Sequence, residues 1–103
     1  MSEYTVDVAW EIGENEDFLK NQYSRGHVWK FDGGLEIPAS SSPSVLPPPL
    51  SVEENIDPEE AFVASLSSCH MLWFLALAVQ YKYIVTSYKD NAVGVMEKNE
   101  YIY

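Results

Sequence analysis

The sequence predicts an α+β fold in which an N-terminal antiparallel β-meander is followed by one long, buried central helix and further strands. Three observations carry this: strict alternation between Tyr4 and Glu11, a hairpin signal at Asp32-Gly33-Gly34, and a helix-start signature at Asp57 that opens an unbroken apolar run. With 103 residues, 47% hydrophobic and 14% aromatic, the chain is one domain or part of one and holds the material for a core. Wholesale disorder is excluded.

Between Tyr4 and Glu11, Tyr4, Val6, Val8 and Trp10 fall on one side and Thr5, Asp7, Ala9 and Glu11 on the other, the period of a half-buried strand. The acidic segment Gly13 to Asp17 ends it and reads as a solvated loop, with Phe18 and Leu19 turned back toward the sheet. A second strand spans Gly26 to Phe31, Asp32-Gly33-Gly34 supplies the positive-φ residues of a tight hairpin, and Leu35 to Ile37 returns. Residues Pro38 to Leu50, with three consecutive serines and Pro47-Pro48-Pro49, read as a loop. The triple proline is taken as a stiff extended connector; a ligand for a proline-recognising module is the alternative.

The helix start is the sharpest local signal. Asp57 stands at the N-cap, Pro58 at the first helical position and Glu60 three residues after the cap, a capping box that also puts Glu59 and Glu60 at the positive end of the helix dipole. Small and apolar residues then continue to Val79, and Met71 to Val79 is apolar all the way round. Such a helix must be covered on nearly every side, which three short strands cannot do; a second copy of the chain is the simplest cover. The stretch from Phe62 to Val79 approaches the roughly 20 apolar residues a membrane span needs, but Ser65, Ser67, Ser68 and His70 interrupt it, so it reads as a protein-covered helix and not a span. After Gln80 the pattern returns to strand: Tyr83 to Tyr88, a turn at Lys89-Asp90-Asn91, Ala92 to Met96, then Tyr101-Ile102-Tyr103 entering another strand. That ending leads to the expectation that residues 1–103 are a single domain lacking its C-terminal portion.

Six basic against sixteen acidic side chains give a net charge of −10, which repels phosphate backbones and anionic membranes alike. Neither nucleic acid nor a membrane is an expected partner. Met1-Ser2-Glu3-Tyr4 lacks the basic start of a signal peptide, and the lone cysteine, Cys69, cannot form an internal disulfide. The expected location is cytoplasmic. No metal-ligand spacing is present, and Gly33-Gly34 lies in a hairpin and not a phosphate loop, so neither a metal nor a cofactor is expected.

Cys69 lies about three turns into the helix, too far from its start for the dipole to activate a thiol, so a nearby cation is required. Arg25 is the only arginine and the natural candidate; an ordinary surface arginine is the other reading. An inert cysteine packed beside Ala64, Ser65, Ser68 and Leu72 is likewise open. Glu59 is ten residues from Cys69, about 15 Å along the axis, and could approach it only from a second, antiparallel copy of the helix. It is otherwise a plain helix-start carboxylate. His70 points about 100° away from Cys69 and does not pair with it.

The string from Asp57 to Met71, DPEEAFVASLSSCHM, resembles the signature of the OsmC/Ohr family of thiol-dependent hydroperoxide reductases, and Ser24-Arg25-Gly26-His27-Val28-Trp29 resembles that family's arginine-bearing segment. The likeness runs from the first strand to about Met96 and corresponds to the N-terminal half to two thirds of a typical member. It implies an intertwined homodimer with central helices wrapped by sheets, and reduction of organic hydroperoxides in an oxidative stress response. Cys69 would be the peroxidatic thiolate, Arg25 would stabilise it, and Glu59 would orient Arg25. Phe62, Leu66, Leu72 and Trp73 would line a pocket for an apolar peroxide, although core packing explains them equally well. Members of the family usually carry a second, resolving cysteine on a C-terminal helix, and no cysteine follows Cys69. Turnover would then require an external thiol reductant or further chain; the other reading is a non-catalytic dimeric scaffold or binding protein.

Overall fold

The computed structural model describes residues 2–97, and the chain divides into two compact units, residues 1–58 and 59–103. The first holds strands β1 (Val6–Ala9), β2 (His27–Phe31) and β3 (Glu36–Ala39); the second holds helix α1 (Pro58–Gln80), whose first residue closes the first unit. The strands form one antiparallel sheet in the order β1-β2-β3. Residues directly opposite share a face, so the register Val6↔Phe31 and Val8↔Trp29↔Ile37 gathers an apolar face, while Asp7↔Lys30↔Glu36 lies on the other. The alternation from Tyr4 to Trp10 therefore sorts its side chains to two faces as expected, although only its middle is laddered and β1 is exposed on both faces, not half-buried. The turn needs one left-handed residue, not two: Gly34 has φ +100° and closes a three-residue loop through Gly34 N–H to Phe31 O at 2.9 Å.

β3 runs on through Pro38 to Ala39, where the sequence had been expected to leave the sheet. A residue in an extended strand points its N–H and C=O to the same edge. The Pro38 carbonyl accepts Ile56 N–H at 3.1 Å on the outer edge, so the missing donor also faces outward and pairing with β2 loses nothing. The segment that follows is tied down. Ser40 is fully buried, its Oγ accepts Val52 N–H at 2.9 Å and its N–H donates to Ile56 O at 2.8 Å; Ser51 Oγ donates to Leu46 O and Asn55 Nδ2 to Ala39 O. The serines thus supply the partners that a proline-rich backbone lacks. Leu50 O accepts the N–H of Arg25 at 2.8 Å, which fastens this loop to the start of β2.

The acidic loop after β1 is more than a solvated connection. Glu16 accepts Gly13 N–H on Oε1 at 2.8 Å and Ser24 N–H on Oε2 at 2.9 Å, holding both ends of the loop with one carboxylate. Between them Asp17 and Gln22 exchange backbone bonds of 3.0 and 2.9 Å around Asn21, whose φ is +59°. Phe18 stacks on Tyr23 at 5.0 Å and tilts against Trp10 at 6.1 Å, whereas Leu19 stays exposed. Of the two apolar residues expected to turn back, one does.

Asp57, near the end of the first unit, is buried immediately before Pro58, and Glu59 and Glu60 occupy the first turn of α1, as the capping signature predicts. The far end is a Schellman motif: Tyr83 N–H reaches Ala78 O at 2.8 Å, Lys82 N–H reaches Val79 O at 3.0 Å, and Lys82 takes φ +64°. The chain then runs back along the helix. Tyr88 meets Phe74 at 5.7 Å, Asp90 Oδ2 accepts Ser67 Oγ–H at 2.6 Å, and Gly94 lies against Val63. The return forms no ladder, so the expected strands at Tyr83–Tyr88 and Ala92–Met96 are absent among the described residues. Extended propensity is local, whereas a strand needs a neighbour with free backbone groups, and a helix offers none. The expected strand start at Tyr101-Ile102-Tyr103 lies outside the described residues.

The expectation of a buried helix is corrected for the single chain. Among the residues described in α1 only Ala78 is buried, and the helix is long and apolar enough to cross a membrane by length and composition while none of its most apolar window is buried. Its apolarity calls for cover that one chain does not provide.

Candidate active site

Helix geometry sorts the candidate residues. At 100° per residue, Glu59, Phe62, Leu66, Cys69 and Trp73 follow one another along one stripe, and Leu72 flanks it beside Cys69. The stripe lies about 100° around the axis from the face met by the returning segment, where Val63, Ser67 and Phe74 sit. Cys69 is a free, exposed thiol at mid-helix. Phe62, Leu66, Leu72 and Trp73 are 64%, 57%, 60% and 68% exposed, so in one chain they form a convex apolar band and not the expected pocket. A pocket needs a facing surface, and a lone helix has none. Glu59 and Cys69 share the stripe but stand about 15 Å apart along it.

Arg25 belongs to the sheet unit, in the turn that enters β2. Its guanidinium carbon sits 3.6 Å from the centroid of the Tyr23 ring, and Nη1 donates to Tyr23 O at 2.6 Å and to Asn21 O at 3.4 Å. Tyr23 is in turn wedged between Phe18 and Trp10, the latter edge-on at 5.3 Å, and Trp10 Nε1 donates to Ser24 O at 2.9 Å. His27 completes the neighbourhood. Its Nε2 accepts Trp29 Nε1–H at 3.1 Å, which leaves the proton on Nδ1 to donate to Arg25 O at 2.7 Å. His27 therefore organises the backbone at Arg25.

Tyr23 and Glu16 escaped the sequence reading. For Tyr23 a signal existed: two residues before Arg25, it shares a side with it in any extended stretch. For Glu16 there was none, because four acids within Glu11 to Asp17 look alike until the loop closes on one of them. Among the described residues no cluster of three or more histidine, cysteine or acidic side chains is arranged to hold a metal ion.

An antiparallel meander followed by a long apolar helix with a single thiol at mid-length defines an α+β thiol protein with an uncovered central helix. A solved OsmC-like protein of unknown function from Vibrio cholerae matches this chain with a TM-score of 0.93 at 59% sequence identity, over 98% of this chain and 66% of that one. The chain belongs to the OsmC-like family, and it spans just under two thirds of that relative's length. No protein-family model matches it. No curated protein does either.

Proposed function

We propose that the protein is a thiol-dependent peroxidase that reduces organic hydroperoxides through Cys69 and acts in the oxidative stress response. The observation that carries the reading is the setting of the thiol: exposed, at mid-helix, in a stripe of Phe62, Leu66 and Trp73 that would receive an apolar peroxide once covered. The Cys69 thiolate attacks the terminal oxygen of the hydroperoxide, the O–O bond breaks, and the alcohol leaves with a proton while sulfur becomes a sulfenic acid. An external thiol condenses with the sulfenic acid, releasing water; a second thiol equivalent releases Cys69 and leaves as the disulfide. Arg25 is the proposed stabiliser of the thiolate, with Glu59 orienting it. The proposed assembly is a homodimer with helices paired across the apolar stripe. Burying a large apolar side chain contributes roughly 1.5–3 kcal/mol, so leaving Phe62, Leu66 and Trp73 in water forgoes several kcal/mol that pairing would recover. An OsmC-like fold with its helix covered by protein fits a soluble, cytoplasmic enzyme.

The test is a titration of the protein with cumene hydroperoxide, following the Cys69 sulfenic acid by mass spectrometry and cumyl alcohol by chromatography. One alcohol per thiol oxidised is expected, and none from Cys69→Ser. A thiol that stays reduced under low peroxide would place the chain with non-catalytic dimeric scaffolds.

A further inference from the structure

We propose that Tyr23 is the positioning residue for Arg25: its ring sets where the guanidinium stands before that group meets the thiolate. This rests on the peroxidase reading above and specifies how its cation is prepared. The ring face lies 3.6 Å from the guanidinium carbon, while the carbonyls of Tyr23 and Asn21 take Nη1, so contacts from one short segment fix both the plane and the roll of the group. An arginine side chain in water samples many rotamers, and ordering it only when the anion appears would reduce the stabilisation it gives. Here the ordering is built into the resting loop. The ring cannot drift, because Phe18 stacks on it at 5.0 Å and Trp10 meets it edge-on at 5.3 Å. The backbone on either side cannot drift because Ser24 N–H is held by Glu16 and Arg25 N–H by Leu50 O. With Nη1 and one face of the plane engaged by the loop, the anion would be met through Nε or Nη2.

The experiment is the pH profile of Cys69 alkylation by iodoacetamide in the full chain, comparing wild type with Arg25→Ala, Tyr23→Phe, Tyr23→Leu and the double variant Tyr23→Leu/Arg25→Ala. Tyr23→Phe keeps the ring face and is expected to retain at least half of the wild-type rate. Tyr23→Leu is expected to slow alkylation at pH 7 about fivefold, to move the midpoint of the profile to higher pH, and to add nothing once Arg25 is gone. Pentafluorophenylalanine in place of Tyr23 keeps the shape but reverses the charge of the face, and it should behave like Tyr23→Leu even if the leucine variant misfolds. A wild-type profile for both the leucine and the fluorinated protein, with Arg25→Ala slowed, overturns the role of Tyr23 and leaves that of Arg25 standing. A wild-type profile for Arg25→Ala overturns both.

Discussion

Replacing Glu16 by alanine should release the loop between β1 and β2 at both ends. The carboxylate makes two charge-assisted bonds, to Gly13 N–H at 2.8 Å in an exposed setting and to Ser24 N–H at 2.9 Å in a partly buried one. Bonds of this kind contribute about 1.5–3 kcal/mol when sheltered and less than half of that in water, so the local loss should be about 2 kcal/mol. One effect opposes it: with a net charge of −10, removing any acid relieves self-repulsion by a few tenths of a kcal/mol. Glu14→Ala, in the same acidic run, carries that relief without the bonds and is the proper reference. The assay is native-state amide hydrogen exchange at Ser24 and Gly13, where about 2 kcal/mol reads as roughly thirtyfold faster exchange. Glu16→Gln, which retains one acceptor oxygen, should fall between the two. Equal exchange at Ser24 in Glu14→Ala and Glu16→Ala would refute the clamp.

Two further outcomes follow from single residues. Lys82→Gly should raise stability by roughly 0.5–1 kcal/mol in thermal denaturation, because a side chain at φ +64° bears a strain that glycine does not; a loss of stability would mean that the lysine contributes more than its backbone costs. Ser40→Ala should cost about 1–3 kcal/mol in urea unfolding by stranding Val52 N–H beside a fully buried position, while Ser44→Ala on the exposed side of the same loop should change it by less than about 0.5 kcal/mol. A cost at Ser40 no greater than at Ser44 would show that water replaces the bond.

What the sequence made legible is what neighbours in the chain decide. The alternation from Tyr4 to Trp10, the hairpin at Asp32-Gly33-Gly34 and the Asp57-Pro58 helix start depend on a few consecutive residues, and each appears where those residues put it. Pro38 was misread because its place in a strand depends on which edge faces a partner. The segment after Gln80, for all its β-branched and aromatic residues, lies along a helix and forms no ladder. Cys69 was legible as a lone thiol on the helix and Arg25 as the one guanidinium available for an anion. The loop that grips Arg25 was not, because Glu16, Phe18 and Tyr23 converge only once residues 17 to 22 have folded back on themselves.

Among the described residues, the buried apolar side chains are Ala39 and Ala78, two of the smallest, while every large apolar residue keeps part of its surface wet. In the proposed homodimer, the free energy that would normally come from a chain's own interior comes from the second copy that closes over α1. Its folding equilibrium acquires a mass-action term: diluting the protein should lower its melting temperature, and a measured stability has meaning only beside the concentration at which it was obtained.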